Sequence, residues 1–307
     1  MTAPARPVIN IVGATATGKS DLAVRLAEHY GGEIINADAM QFYRGMDIGT
    51  AKITPAETRG VPHHLLDVLD VTQDASVSEF QQQARELIAN MRSRGVQPIL
   101  VGGSGLYVRA ATDVMNFPGT DPSLRSRLER IAELDGTRHL HALLTELDPE
   151  AGAKIKIEDS RRIVRALEVI ALTGETFTSH LPEYTYAMPT VQIGLRMNRA
   201  DLRERISTRV HRMLDDGWVD EVRALITAGI EESTTAAAAI GYRQLIAYVR
   251  GTMTLDEATQ QTIIRTGQFA KRQETWFKRD PRIHWLDADS PELFEQAVGI
   301  IEKQERA

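Results

Sequence analysis

Short, mostly apolar runs alternate along the chain with stretches whose apolar residues recur every three to four positions, the pattern of a parallel sheet with crossover helices. Val8-Ile9-Asn10-Ile11-Val12 predicts a buried strand and Ser20–Tyr30 the helix after it. Glu33-Ile34-Ile35-Asn36-Ala37 predicts a second strand ending at Asp38. A helix then opens with the capping box Ser76-Val77-Ser78-Glu79, shows Phe80, Ala84, Leu87, Ile88 and Met91 on one face, and stops at Gly95. Pro98-Ile99-Leu100-Val101 reads as another buried strand, running into Gly102-Gly103-Ser104-Gly105. In βαβ units of this kind the strand ends at Gly13, Asp38 and Gly102 gather along one edge of the sheet, where ligands bind.

From Phe117 to about Pro189 the pattern changes to helical periodicity, and strand signals return only at Val191-Gln192-Ile193-Gly194-Leu195. We therefore expect an all-helical insertion over 117–189 within a core formed by 1–116 and 190–307. Helices are expected near 201–215, 218–228, 237–250 and 255–279, then a strand at Ile283-His284-Trp285-Leu286 and a last helix opened by Ser290-Pro291.

At 307 residues, 42% hydrophobic and 25% charged, the composition is that of a globular chain with one large or two modest domains. No apolar run approaches the roughly twenty residues of a membrane span, and Met1–Pro7 lacks a hydrophobic signal region, so a cytoplasmic location is expected. Cysteine is absent, which removes disulfides, zinc–thiolate sites and cysteine nucleophiles. The net charge of −6 argues against a generally basic surface but leaves room for local basic grooves. Lys154–Arg165, Arg196–Arg212 and Arg265–Arg282 carry excesses of +3, +4 and +4, as either solvated helix faces or anion-binding patches.

The residues Gly13-Ala14-Thr15-Ala16-Thr17-Gly18-Lys19-Ser20 fit GxxxxGK[ST] directly between the first strand and helix. Such a loop turns backbone N–H groups onto phosphate oxygens, adds the Lys19 charge, offers the Ser20 hydroxyl to Mg²⁺ and aims a helix dipole at the anion. The expected fold is thus α/β, a P-loop NTPase-like parallel sheet core flanked by helices, with an inserted all-helical domain. Kinases, NTPases and some transferases all use this loop, so ATP and other diphosphates remain open as guests. Asp38, at the next strand end, is placed either to hold Mg²⁺, directly or through water, or to take a proton from an attacking group. Many P-loop ATPases end a strand in a magnesium-holding aspartate, whereas Ile99–Val101 ends in Gly102-Gly103, which suits close backbone approach. His63 and His64 have a metal-ligand reading, but adjacent side chains do not easily share an ion, and structural or loop-contact roles are favoured.

The runs Asn36–Lys52, Pro62–Asp67 and Gly102-Gly103-Ser104-Gly105-Leu106-Tyr107 resemble the bacterial tRNA dimethylallyltransferases. Arg161–Glu168, Asp220–Arg223, Ile240-Gly241-Tyr242-Arg243-Gln244 and Ala270-Lys271-Arg272-Gln273 extend the likeness over nearly the whole chain. The resemblance implies transfer of a five-carbon group from dimethylallyl diphosphate to N6 of the adenosine just 3′ of the anticodon, adenosine 37, in tRNAs reading codons that begin with U. Mg²⁺ would assist. It implies that Lys19, Ser20 and the amides of Thr15 to Gly18 receive the leaving diphosphate and that Asp38 accepts the N6 proton. Ser104 stands where the family usually has threonine and keeps a hydroxyl for the substrate, while Arg223 resembles the family arginine that reaches the diphosphate. Its bland reading is an exposed partner on an acidic helix face.

The same resemblance assigns tRNA contacts to Asp38, Ala39, Met40, Gln41, Ser104, Arg125, Arg161, Arg162, Ile163, Val164, Arg165, Ile240, Gly241, Tyr242, Arg243 and Gln244, with the insertion clamping the anticodon stem-loop. The insertion holds nine basic and twelve acidic residues, so recognition would rest on a local patch. Departures from the family are Ala14 for a common proline, Ala39 for serine and Arg161 for a commoner glutamine. A P-loop small-molecule kinase and an adenine-nucleotide prenyltransferase are the alternatives, though the former has no need of the Gly102–Tyr107 element and the latter usually lacks so large an insertion. A monomer is expected.

Overall fold

A computed structural model describes residues 6–180 and 183–306; Met1–Ala5, where the signal-region reading begins, lie outside the described residues. Six strands, β1 (Val8–Gly13), β2 (Gly32–Asn36), β3 (His63–His64), β4 (Gln97–Gly102), β5 (Thr190–Arg196) and β6 (Ile283–Asp287), form one sheet in the order β3-β2-β4-β1-β5-β6. Every pairing is parallel, with Ile9 opposite both Ile99 and Val191, and Ile34 opposite Ile99. Parallel strands covered on both faces bury nearly every side chain, which is why β1 and β4 are buried throughout and read as nearly continuous apolar runs, with Asn10 and Gln97 the polar exceptions, each hydrogen-bonded inside. The edge strand β3 gave no apolar signal because it is two histidines long.

Helices α1 (Lys19–Tyr30), α2 (Val77–Ser93) and α3 (Gly105–Thr112) flank the amino-terminal strands. Leu22 and Leu26, one turn apart on α1, pack with Ile9, Ile11, Ile34 and Ile99, each such burial contributing roughly 1.5–3 kcal/mol. After β5 come α8 (Arg199–Asp215), α9 (Trp218–Thr227), α10 (Tyr242–Val249), α11 (Leu255–Phe277) and, after β6, α12 (Leu293–Glu305); α4–α7 lie earlier, in the second unit below. Trp218 and Tyr242 centre a second core with Tyr43, Met46, Val222 and Leu245. The Glu221 carboxylate accepts the N–H groups of Asp47, Ile48 and Gly49 and the Tyr242 hydroxyl, which fixes the loop after β2. The helix expected from 237 begins only at Tyr242, because Asp74 captures Ser233, Thr234 and Thr235 in a turn ahead of it.

The chain divides into two compact units, 6–112 with 186–306 among the described residues, and 113–185. Both limits of the second fall a few residues ahead of the 117 and 189 read from helical periodicity. Short backbone pairings mark the change, Ala187 N–H to Thr112 O in one unit and Val114 N–H to Thr185 O in the other, and such single bridges leave no periodic trace. The second unit consists of α4 (Pro122–Leu134), α5 (Thr137–Leu147), α6 (Pro149–Lys154) and α7 (Ser160–Thr173) around Leu128, Leu140, Leu144, Ile163 and Leu167.

Candidate active site

The phosphate loop leaves β1 at Gly13, where φ is +142° and a Cβ would stand 2.6 Å from the Leu195 carbonyl oxygen, so both backbone and space demand glycine. Thr17 Oγ1 and Lys19 Nζ both donate to the Ala14 carbonyl, at 2.8 and 2.7 Å, which closes the loop on itself. The first-turn amides of α1 have no intrahelical partners and carry the positive end of the helix dipole. The Thr15 amide is not among the open donors: it gives its hydrogen to Gln273 Oε1 at 2.9 Å. Ala14 is buried against Ile206 of α8 and Ala270 of α11, so these helices cover the loop.

Asp38 follows β2 and is held by its neighbours. Asn36, buried, accepts the Asp38 N–H and donates to the Asp38 and Leu65 carbonyls. One carboxylate oxygen accepts the Met40 N–H at 3.1 Å and caps the short 3-10 turn Ala39–Phe42, leaving the other for chemistry. Burial raises the proton affinity of Asp38, against the pull of the Met40 amide, Lys19 and Arg209. Burial lowers Lys19 to about 8, with Asp38 opposing and Arg209 adding to the fall.

Arg209 of α8 was not foreseen as a site residue, although it lies in the basic stretch Arg196–Arg212. Its Nη1 stands 3.5 Å from Thr15 Oγ1, a long contact, and among the described residues no carboxylate pairs with it directly. Burial lowers its pKa; the charge of Asp38 counteracts this, Arg212 adds to it, and Glu57 opposes it. Lys19, Arg209 and Arg212 against Asp38 and Glu57 leave an excess of positive charge beside a phosphate loop, which suits an anion. The missed signal was phase: Arg209 is one turn beyond buried Ile206, on the face that Val210 and Met213 bury.

Ser104 precedes α3 in a turn pressed between two surfaces, Gly102 against Ala37 and Gly103 and Gly105 against Gln273 and Trp276. Tyr107 packs on Phe42 and Phe80, and burial, with the charges of Tyr43 and Asp38, pushes its hydroxyl up to about 12. Ser20, in the first turn of α1, is exposed.

Other expected site residues stand apart from this cluster. Arg223 is exposed on α9 and donates to Asp220 at 2.7 Å in the adjacent turn, so in this structure it does not reach for a diphosphate. Tyr242 is fully buried and Gln244 nearly so, the latter accepting the Gly241 N–H; their side chains shape α10 and offer RNA no surface, whereas Arg243 is exposed. Gly241 is buried and Ile240 half-buried. Ala39 is buried, Met40 is half-buried, and Gln41 donates to the Thr50 and Ala51 carbonyls. In the helical unit Ile163 and Val164 belong to the core, while Arg161 and Arg162 are exposed. Arg125 and Arg165 both bind buried Glu168 at 2.7 Å, and Arg165 also donates to the Pro118 and Gly119 carbonyls, so both are engaged within the helical unit while their side chains stay partly exposed. Burial raises Glu168, but the hydrogen bonds from Arg125 and Arg165 outweigh it and hold the carboxyl below its ordinary range. His63 Nδ1 lies 2.8 Å from the Val61 carbonyl and His64 Nε2 2.7 Å from Glu33, structural contacts both.

Comparison with known proteins gives one consistent result. A family model described as IPP transferase matches residues 41–280. The chain is 57% identical to the tRNA dimethylallyltransferase of Pseudarthrobacter chlorophenolicus, over 96% of this chain and 98% of that one. It is 55% identical to the Streptomyces coelicolor enzyme of the same name, over 98% and 97%. Among solved structures, a full-length tRNA isopentenylpyrophosphate transferase from Bacillus halodurans aligns with TM-score 0.73 at 39% identity over 98% of each chain. A eukaryotic dimethylallyltransferase captured acting on tRNA aligns with TM-score 0.83 at 27% identity, over 96% of this chain and 77% of that one.

Proposed function

The chain belongs to the IPP transferase family of tRNA dimethylallyltransferases, and from that membership we propose that it moves the dimethylallyl group of dimethylallyl diphosphate to N6 of adenosine 37 in tRNAs reading codons that begin with U. The observation that carries this reading is the company of the phosphate loop: Lys19 and Arg209 with excess positive charge, beside one half-buried carboxylate of raised proton affinity, Asp38.

The allylic C–O bond breaks with its electron pair leaving on the diphosphate, and the loop amides, Lys19 and Arg209 stabilise that growing charge. The adenine N6 forms the new C–N bond. Its lone pair is delocalised into the ring, so a base that orients it matters, and Asp38 accepts the proton that N6 sheds. Burial suits Asp38 to that task because it strengthens the carboxylate as a base. Arg209 takes the diphosphate role that the resemblance gave to Arg223. Ser104 supplies a hydroxyl at the neighbouring strand end.

Mg²⁺ fits as an ion carried largely by the diphosphate. Among the described residues no group of three or more acidic or histidine side chains could cage a metal, while Ser20, in the first turn of α1, is exposed. Ser20 would hold it, with Asp38 as the candidate carboxylate through water, and the ion would neutralise leaving-group charge. To reach the donor the adenine must leave its stack, which single-stranded loops permit. Exposed Arg161, Arg162 and Arg243 are the surface cations in the expected RNA-contacting segments. No described helix is long and apolar enough to cross a membrane; a cytoplasmic monomer suits a single-site enzyme on tRNA.

Labelled dimethylallyl diphosphate supplied with Mg²⁺ and either tRNA or AMP, beside γ-labelled ATP, tests the reading. Label should enter tRNA at adenosine 37. Label in AMP alone would make this an adenine-nucleotide prenyltransferase, and phosphate transfer from ATP alone a kinase.

A further inference from the structure

Gln273 lies six per cent exposed on the buried face of α11 with Ala270 and Phe277, where a polar side chain must find partners. It finds two, on different strand ends. Its Oε1 accepts the Thr15 N–H of the phosphate loop at 2.9 Å, and its Nε2 donates to the Gly103 carbonyl at 3.0 Å in the turn that presents Ser104. That turn is moulded to α11: a Cβ on Gly103 would meet Gln273 Nε2 at 2.2 Å, and one on Gly105 would meet the Trp276 ring at 2.0 Å. Trp276 is one turn beyond Gln273, so the pair forms a single seat for residues 103–105.

We propose that Gln273 is a positioning residue that sets the phosphate loop and the Ser104 turn in register with each other, so that a leaving diphosphate and the Ser104 hydroxyl meet in the geometry that reaction requires. The carboxamide is suited to this because one end accepts and the other donates across a fixed span, which no apolar or singly functional side chain reproduces. The loop's own closure does not depend on it, since Thr17 and Lys19 bond Ala14 independently. Gln273 therefore governs the relation between two halves of the site rather than the integrity of either, and misplacement by an ångström is costly in rate.

The kinetic part of the proposal rests on the transfer activity above; the structural part does not. Gln273→Met keeps the length and removes both hydrogen bonds. In purified full-length protein, kcat for dimethylallyl transfer to tRNA should fall roughly 10- to 100-fold, while inhibition by inorganic pyrophosphate changes by less than about threefold. With kcat referred to titrated active sites, loss of folded protein alone leaves both constants unchanged. Combined with Ser104→Ala, the two losses should be less than multiplicative, because Gln273 acts through the turn that carries Ser104. Unchanged kcat, or fully multiplicative losses, overturns the proposal. Backbone hydrogen exchange should speed up at both 13–20 and 102–106 whatever substrate the protein takes; faster exchange in neither or only one also overturns it. Should Gln273→Met not fold, Gly103→Ala, whose Cβ displaces the same amide, is read by the same measures. Wild-type protein that leaves tRNA unlabelled would count against the transfer reading, and the exchange experiment would still decide the register.

Discussion

Arg209 in the α/β unit and Arg165 in the helical unit are both half-buried arginines on helices, but their surroundings differ in kind. Arg165 shares Glu168 with Arg125 and gives two further N–H groups to the carbonyls of Pro118 and Gly119, so its charge is matched inside the fold. Among the described residues Arg209 has only a long contact to Thr15, and the carboxylates whose charge reaches it, Asp38 and Glu57, are shared with Lys19 and Arg212. The first arrangement holds a fold together without a ligand; the second leaves a cation without a direct carboxylate partner among the described residues, which suits an anion. An arginine in a motif is therefore not a site residue by its presence. What decides is whether the fold has already matched it.

The incomplete cluster should respond most strongly to losing its one central carboxylate. Asp38→Ala should lower kcat by about a thousandfold or more while pyrophosphate still binds, because the base is lost and the cradle is kept. Asp38 must be ionised to accept a proton, and burial raises its pKa, so wild-type kcat should rise with pH through a point above the ordinary aspartate value. A variant that keeps wild-type turnover, or a rate independent of pH there, would remove Asp38 from the chemistry. Arg209→Gln comes next. It should raise KM for the diphosphate donor and lower kcat/KM roughly a hundredfold, the scale for one charge-assisted contact in a shielded site. Loss confined to tRNA affinity would instead put Arg209 on the RNA.

The matched cluster answers in stability. Glu168→Gln leaves two cations sharing a neutral amide, and should cost ~1–3 kcal/mol, read by urea unfolding of the full chain; partial exposure of both arginines keeps the figure below that of a fully buried pair. The sign with pH follows from the lowered carboxyl: its contribution is present above the ordinary glutamate range and lost as pH falls through the folded value. Unchanged stability would mean the two arginines do not depend on Glu168.

The sheet was legible because a parallel strand covered on both faces leaves a nearly continuous apolar run, as in β1 and β4 apart from Asn10 and Gln97, and Gly13–Ser20 was legible because phosphate cradling restricts residue type at fixed spacing. Lys19 and Asp38 each feel the other's charge beside the phosphate loop. What stayed hidden depends on helix phase. Arg209 and Gln273 are polar residues on core-facing sides of α8 and α11, and a window that counts charge, as the one over Arg196–Arg212 did, averages that away. Tyr242 and Gln244 differ in the opposite direction: a distinctive string suggested a contact role, whereas in this structure their side chains bond Glu221 and Gly241 inside the fold.

The smallest effect is the sharpest test of the contrast between matched and unmatched arginines. Arg223 carries a family likeness to a diphosphate ligand, yet it sits 56% exposed on α9, and its partner Asp220 is more exposed still. Surface pairs of this sort contribute between nothing and about 1 kcal/mol, and a side chain already facing solvent gives the leaving group no shielded charge. Arg223→Ala should therefore change kcat/KM by no more than about threefold, within the range of one weak surface interaction. Measured beside Arg209→Gln under identical donor and tRNA concentrations, the ratio of the two losses separates the assignments. If Arg223→Ala is as damaging as Arg209→Gln, α9 must move on binding to bring that guanidinium to the loop, and the present division between matched and unmatched arginines would describe only the ligand-free state.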